Sequence, residues 1–285
     1  MSRETLGNIC TLQYIDLTGC SSIEVLPSQL AHQQSLEILD LKDLASLIEL
    51  PSDIGELSSF KKLKLHNCRK LKGLPDSLGQ LNQLTELSIT NCSLHQLSFK
   101  MVAGEGESIC PNLQRLHITD CEALVEVGRL PDLLIDLKLT YCPELGKIQW
   151  LSPLPKLQML DLRRCIKVEQ LPSMETMVSL EEFNASECVK LRRIWGLAHR
   201  TKLRILDVWG CTYLEELVGV EHLRALESLH VYECPKLQLP HGISRLVFHS
   251  YRFVGNNPND PPCHSTLPGV NQEFLSRFVQ RGNDS

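Results

Sequence analysis

The sequence predicts an α/β solenoid, a horseshoe in which a parallel concave sheet of about ten strands is backed by short helical turns on the convex side. Two observations predict it. A nine-residue phrase, L-x-x-L-x-L-x-x-C, recurs ten times between residues 12 and 234. The step from copy to copy is 24, 24, 24, 29, 21, 23, 23, 23 and 23 residues, and a fixed period of this size indicates stacked repeats.

The ten copies differ little from one another, and nine of them end in cysteine. Their period lies inside the range of roughly 20–29 residues that is typical of leucine-rich repeats. The copies are Leu12–Cys20, Leu36–Leu44, Phe60–Cys68, Leu84–Cys92, Leu113–Cys121, Leu134–Cys142, Leu157–Cys165, Leu180–Cys188, Leu203–Cys211 and Leu226–Cys234.

Alternation within the phrase predicts a strand. Positions 1, 4 and 6 point into the solenoid and positions 3, 5 and 7 point outward. Each inward side chain contributes roughly 1.5–3 kcal/mol when it is buried, and only a stacked neighbour can bury it. The phrase is often followed by Leu-Pro and then by L-x-x-L-x-x-L, as in Leu74-Pro75 and residues 78–84. This three-residue spacing predicts a short helical turn behind the sheet, with the proline at its first position.

The cysteines at position 9 are expected to turn inward where each strand ends, with the thiol meeting backbone groups of the loop. Stacking places the sulfurs at a strand spacing of about 4.8 Å, so distance alone does not exclude a disulfide. The N-terminus has no apolar core of signal-peptide length, and the chain has no run of about 18 apolar residues. We therefore expect a cytoplasmic or nuclear protein with free thiols.

Charge and motifs exclude several classes of function. A formal net charge of −5 and a pI of about 6.1 argue against nucleic acid and anionic membranes as partners. The chain contains neither a phosphate-binding G-x-x-x-x-G-K-[ST] loop nor a C-x-x-C pair, so no cofactor and no metal is expected. Cys263 and His264 are adjacent in a proline-rich stretch and cannot be positioned as nucleophile and base. The sequence therefore predicts a protein that is not an enzyme.

The domain prediction is a repeat solenoid over residues 1–245, followed by a cap or partly disordered tail over residues 246–285. Residues 256–269 are rich in proline and asparagine. The spacing of Leu6, Ile9 and Leu12 matches the convex segment, so the chain opens in the middle of a repeat. Because solenoid ends need covering, we expect either an upstream element or descent from a longer protein.

The combination of the cysteine-ending phrase with x-x-L-x-x-L-P resembles the leucine-rich-repeat region of plant intracellular disease-resistance receptors of the TIR type. Residues 65–84 (LHNCRKLKGLPDSLGQLNQL) and 160–172 (LDLRRCIKVEQLP) carry the resemblance. It implies recognition of a pathogen protein or a modified host protein, and an adjoining nucleotide-binding switch domain upstream as a partner. The chain contains neither that switch domain nor a TIR domain. The alternative is a substrate-recruiting subunit of a ubiquitin ligase of the F-box type, whose repeats also end in cysteine.

The outward positions predict where a protein ligand would bind on the concave face. Most of them carry ordinary solvated side chains, whereas the last third carries aromatic, methionine, isoleucine and arginine side chains. Tryptophan, tyrosine and arginine in particular are enriched in interface hot spots. The predicted protein-binding residues are Met159, Arg163, Ile205, Trp209 and Tyr232. A second interpretation is that the C-terminal tail covers Trp209 and Tyr232.

Overall fold

Ten parallel strands form one continuous sheet, with each strand next to the strand of the following repeat. The computed structural model describes residues 11–99, 109–149 and 153–240. We number the coils 1 to 10 after the copy of the phrase that each contains. The strands are Tyr14–Asp16, Ile38–Lys42, Lys62–His66, Glu86–Thr90, Arg115–Thr119, Asp136–Thr140, Met159–Asp161, Glu182–Asn184, Ile205–Asp207 and Ser228–His230. The predicted parallel sheet of ten strands is confirmed.

The register of the sheet matches equivalent phrase positions, because Leu39 pairs with Leu63 and Leu63 with Leu87. The inward rows consequently stack leucine on leucine into one core, in which most members have no exposed surface. Coil 1 is the exception, since Leu12 and Leu17 are only partly buried. No described coil packs against its outer side. The alternation of inward and outward positions predicted from the phrase is confirmed.

Single turns of 3-10 helix lie on the convex side, and no α-helix occurs in the described ranges. They are Ser28–His32, Ile54–Glu56, Asp76–Gln80, Met174–Thr176 and Val220–His222. Pro27 and Pro75 cap two of these turns and do not occupy the first helical position. The fixed φ of proline also suits the extended cap, where the Pro27 carbonyl accepts the Leu30 N–H at 3.0 Å.

Two small ladders run beside the main sheet, and the sequence analysis predicted neither. One joins three strands and the other joins two. Their strands are only two residues long, and each ends on the second apolar residue of the x-x-L-x-x-L loop. They are Gln96–Leu97, Glu126–Val127 and Lys147–Ile148 in the first ladder, and Arg193–Ile194 and Glu216–Leu217 in the second.

Position 8 of every coil has a positive φ, which turns the chain out of the strand so that position 9 enters the core. Glycine and asparagine adopt this left-handed conformation readily, whereas Tyr141, Arg164, Glu187 and Glu233 adopt it at a cost. The N–H of position 8 compensates in part by bonding to the next coil, as Tyr141 does to the Arg163 carbonyl at 2.8 Å. The full set is Gly19, Asp43, Asn67, Asn91, Asp120, Tyr141, Arg164, Glu187, Gly210 and Glu233.

The cysteines at position 9 are buried in every described coil that has one except coil 1, where Cys20 is exposed. Their thiols donate to carbonyl groups, often in the preceding coil: the Sγ of Cys165 lies 2.9 Å from the Leu139 oxygen and that of Cys211 lies 3.0 Å from the Ala185 oxygen. Burial raises the pKa of Cys165 to about 12, so the thiol keeps the proton that it donates. The described cysteines are free thiols, and those of coils 3, 7, 8, 9 and 10 also bond to the preceding coil.

Candidate functional site

Three rows of outward side chains cross the concave face. We call them row 3, row 5 and row 7 after the phrase position that their members share. Register pairs keep each row straight across the sheet, as in Met159 beside Glu182 and Glu182 beside Ile205. All five predicted binding residues lie in rows 3 and 7 of coils 7–10, and we call this set (Met159, Arg163, Ile205, Trp209 and Tyr232) the C-terminal patch.

Trp209 and Tyr232 are neighbours in row 7. The exposed fractions are 36% for Trp209 and 47% for Tyr232. Their backbones are tied together, because the N–H of Gly210 bonds to the Tyr232 carbonyl at 2.9 Å. The Trp209 N–H bonds to Oδ1 of Asp207 at 3.0 Å. The two aromatic side chains therefore stand on a fixed backbone.

Met159 and Ile205 lie in row 3 and are half-buried. They do not touch as neighbours, because Glu182 occupies the coil between them. The sequence analysis left Glu182 out of the predicted site. The apolar members of the C-terminal patch thus form two groups, with the polar side chains of row 5 between them.

Arg163 stands at the edge of the patch, and its guanidinium is already occupied. Its Nη2 lies 2.7 Å from Oδ2 of Asp161, and its Nε lies 3.0 Å from Oδ1. Hydrogen bonding to Asp161 raises the pKa of Arg163, and the charge of that carboxylate adds to the effect. A ligand would meet a neutralised ion pair here.

Row 5 ends the strands of the C-terminal coils early. Asp161, Asn184 and Asp207 each accept the N–H of the residue two positions later, at 3.1, 2.9 and 3.0 Å. A short polar side chain that bonds its own backbone in this way competes with regular strand pairing. The strands of coils 7–9 accordingly span three residues each, as does that of coil 1, where Asp16 accepts the Thr18 N–H at 2.8 Å, whereas those of coils 2–6 span five. The strand of coil 10 also spans three residues, with His230 at position 5. The signal in the sequence is Asp or Asn at position 5, but it is not sufficient by itself, because Asp40 occupies the same position in a strand of five residues.

In coils 2–6 the exposed charges pair with one another across the strands. Glu86 bridges Lys62 at 3.3 Å and Arg115 at 3.1 Å. Burial alone would raise the pKa of Glu86, but hydrogen bonds from Arg115 and Lys62 lower it below its ordinary value. Lys64 pairs with Asp40 at 3.5 Å. Most charged side chains on this part of the face are therefore paired with one another.

Asp136 forms a second network in the same region. Its Oδ2 lies 2.7 Å from Nε2 of His117 and 3.7 Å from Nζ of Lys138. Burial would raise the pKa of Asp136, yet the bond from His117 and the nearby positive charges lower it. No single sequence motif predicts these two networks, because they depend on which side chains the strand register places next to one another.

Ser228, His230 and Asp207 form a connected chain of hydrogen bonds in coils 9 and 10. The Ser228 hydroxyl lies 2.9 Å from Nε2 of His230, and Nδ1 of His230 lies 3.0 Å from Oδ2 of Asp207. This is the connectivity of a serine nucleophile with its base and orienting acid. The Ser228 N–H, however, is used by the Arg204 carbonyl at 3.0 Å, and Ser228 lies on a flat strand. The described geometry therefore supplies an oriented histidine without an evident oxyanion site.

A shallow depression of about 540 Å³ lies outside the concave face, lined by Ser173, Glu175, Trp195, Gly196, Ala198, His199 and Val218. Trp195 is packed under Arg193, whose guanidinium lies 5.7 Å from the ring centre. Among the described residues, no group of three or more His, Cys, Asp and Glu side chains is arranged to hold a metal ion. None of the helices in these ranges has the length and apolar character to cross a bilayer.

Comparison with known proteins extends the fold assignment. No protein-family model matches the chain, and no curated protein sequence matches it. Among solved structures it is similar to the leucine-rich repeat domain of the type III effector XopL, with 25% identity and a TM-score of 0.53 over 83% of this chain and 77% of that one.

Two further structures have lower scores. The structure of PEPR1–AtPEP1 has 18% identity and a TM-score of 0.42, over 88% of this chain and 46% of that one. The functional domain of InlJ from Listeria monocytogenes, which includes a cysteine ladder, has 15% identity and a TM-score of 0.30, over 88% of this chain and 74% of that one. The likeness concerns fold and reaches no particular class of plant receptor. From its repeats, its ten-stranded sheet and its similarity to XopL, the chain is a leucine-rich-repeat solenoid.

Proposed function

We propose that this chain is a non-enzymatic scaffold that recognises a protein through the C-terminal patch. One observation carries the proposal: Trp209 and Tyr232 stand exposed in adjacent coils on a backbone that Asp207 and the sheet hold in place. Aromatic side chains bring a large apolar surface to an interface at little cost in conformational entropy. Because the backbone is already ordered, the protein would lose little further conformational entropy when it binds a partner.

Charge supports the same end of the concave face. In coils 7–10 the three rows carry three carboxylates, those of Asp161, Glu182 and Asp207, against the single cation of Arg163. In coils 3–6 they carry four cations, from Lys and Arg, against the two carboxylates of Glu86 and Asp136. Removing water from paired charges costs free energy. In the middle coils the charged side chains already form ion pairs with one another. A partner protein therefore gains more binding free energy by covering the end of the face that carries Trp209 and Tyr232.

The non-enzymatic part of the proposal rests on the surroundings of Ser228. A serine nucleophile needs donors for the oxyanion that forms when it attacks. The N–H of Ser228 is already bonded to Arg204 within the sheet. We assign Ser228 and His230 a structural role. Ser228 bonds to His230 and His230 bonds to Asp207, so that the two residues orient the carboxylate that accepts the Trp209 N–H.

The biological setting that we propose is innate immunity inside plant cells, with the chain in the cytoplasm or nucleus. The support is the resemblance carried by residues 65–84 and 160–172. In this setting the ligand is a pathogen protein or a modified host protein, and a nucleotide-binding switch domain adjoins the repeats. An F-box upstream of residue 1 in the gene would instead assign the chain to a ubiquitin ligase.

Site-specific photo-cross-linking tests the recognition surface. A photoreactive benzoylphenylalanine replaces Trp209 in one variant and Lys64, on the middle of the same face, in the control. Irradiation in plant cell extract should yield a discrete protein adduct from position 209 and none from position 64. The same adduct from both positions, or one from position 64 alone, would contradict the proposal.

A further inference from the structure

Glu182 has an unusual place on the concave face. It lies in row 3 of coil 8, in register with Met159 on one side and Ile205 on the other. A carboxylate is thus set between two apolar side chains, in the region where Trp209 and Tyr232 are exposed. Two apolar flanks lower the local dielectric, which strengthens any ion pair that Glu182 forms.

Glu182 is also the one concave carboxylate that has no hydrogen bond or ion pair within residues 11–99, 109–149 and 153–240. Each of the others has a partner: a backbone N–H, a lysine, an arginine or a histidine. These others are Asp16, Asp40, Glu86, Asp136, Asp161 and Asp207.

Arg204, a cation of the described residues whose charge interacts with that of Glu182, already has another partner. Arg204 bonds to Glu227 through both Nε at 2.7 Å and Nη2 at 2.8 Å. That hydrogen bonding is the main reason why the pKa of Arg204 is raised, and Glu182 contributes only a smaller Coulombic part. Glu182 therefore keeps its charge available to a ligand.

We propose that Glu182 receives a lysine or arginine side chain from the protein that binds the C-terminal patch. This inference rests on the proposed function, because it specifies the partner of that same surface. Burying Glu182 without a cation would leave a charge desolvated between two apolar side chains, which is strongly unfavourable. A basic side chain removes that penalty and gives the surface a preference between partners.

The rows also set the spacing within the partner. Row 3 and row 7 are four residues apart along a strand, or roughly 13 Å at about 3.3 Å per residue. An extended segment that lies along the strands presents every second side chain to the sheet. It would place a basic residue over Glu182, a polar residue over Asn184 and Asp207, and an apolar residue over Trp209. The partner we infer is an extended segment with a basic and an apolar side chain four residues apart.

Selection from a random peptide library displayed on phage tests this inference directly. The baits are the wild type, Glu182→Lys, and Glu122→Lys, which makes the same charge change at an exposed position of coil 5. Wild type and Glu122→Lys should enrich peptides with Lys or Arg four residues from an aromatic or aliphatic residue. Glu182→Lys should lose the basic preference and favour Asp or Glu there.

A selected basic peptide then gives a quantitative measure. Glu182→Gln should weaken its binding by about three- to tenfold, and less so at high salt. Thermal melting of each variant checks the fold, which should be unaffected because Glu182 points outward. Enriched peptides with no basic preference, or the same preference with Glu182→Lys, would overturn the inference.

A fourth bait separates the two proposals. With Trp209→Ala and Tyr232→Ala combined, no peptide family should be enriched. If wild-type binders depend on these aromatic residues but ignore Glu182, the inference fails and the proposed function stands. If no bait enriches a peptide, or if binders are insensitive to all four residue changes, both fail.

Discussion

Coils 3–6 and coils 7–10 share one sheet and one core, but they use their outward positions differently. In the middle coils, charged side chains reach across strands, as Glu86 does to Lys62 and Arg115. In the last coils, short polar side chains bond to their own backbone, as Asp207 does to Trp209. In the middle coils most exposed charges are therefore paired, whereas in the last coils the aromatic side chains and Glu182 stay accessible. The same scaffold therefore carries two differently organised outward faces, and we propose that the second is the one that binds a partner.

The largest effect on stability is expected from substitutions at the inward positions. It should be similar in the two regions, because they share one core. Leu116 in coil 5 and Leu206 in coil 9 are both fully buried at position 4. Replacing either one with alanine should lower the free energy of unfolding by about 2–5 kcal/mol. Chemical denaturation of each variant measures this loss.

The outward neighbour Asp207 provides the contrast within coil 9. It accepts bonds from Trp209 and His230, so Asp207→Ala should cost about 1–2 kcal/mol rather than nothing. An Asp207→Ala loss as large as that of Leu206→Ala would contradict the assigned alternation.

The convex side of the last coils holds a group that the fold leaves unsatisfied. Arg200 is 3% exposed, and its Nε and Nη1 have no hydrogen-bond partner. It occupies the middle convex position, where Leu81 and Leu223 occur in other coils. Burial lowers the pKa of Arg200, against a smaller opposing effect of Glu175.

Arg200→Leu should therefore raise the free energy of unfolding by about 2 kcal/mol, because it replaces two unsatisfied donors with a side chain that the position usually holds. Lys202→Leu, at an exposed position nearby, should stay within about 0.5 kcal/mol of the wild type. Denaturant melts of both variants make the comparison. Loss of stability on replacing Arg200 would reveal a partner for its guanidinium and refute this account.

A smaller difference between the two regions is expected in how their carboxylates make the free energy of unfolding depend on pH. The folded pKa of Glu86 is lowered, so its ion pairs stabilise the fold above the unfolded value of about 4.3 and are lost as the pH falls through the folded value. For a partly exposed pair the contribution is at most about 1 kcal/mol. Glu86→Gln should remove this loss, whereas Glu182→Gln, which breaks no ion pair among the described residues, should not. Stability measured between pH 6 and pH 3 tests both, and equal profiles for the two variants would contradict the pairing.

Most of the architecture could be predicted from the sequence, because a repeat fixes its own register. Once Leu39, Leu63 and Leu87 are aligned as one phrase position, the inward rows and the core follow. The left-handed turn at position 8 was harder to predict. Its signal, asparagine or glycine before cysteine, is clear at Asn67 and Gly210, but Tyr141 occupies the same conformation.

The site was predictable only in part. Row and exposure placed Trp209 and Tyr232 correctly on the concave face. The capture of Arg163 by Asp161 and the isolation of Glu182 depend on side-chain reach between neighbours, which a one-coil pattern does not specify. Residues 1–10 and 241–285, including the proposed tail beyond residue 245, lie outside the described residues, so the predicted domain boundary and the interpretation that this tail covers Trp209 stay predictions.

Calorimetric titration with the protein cross-linked at position 209 tests the central claim most directly. Combining Trp209→Ala with Tyr232→Ala should weaken binding by at least ~2 kcal/mol, the usual threshold for a hot spot, and leave the melting temperature unchanged. Combining Asp40→Ala with Lys64→Ala, an ion pair that joins coils 2 and 3, should change affinity by less than about 0.5 kcal/mol. Equal losses from the two pairs, or a lower melting temperature with unchanged affinity in the aromatic pair, would contradict recognition by the C-terminal patch.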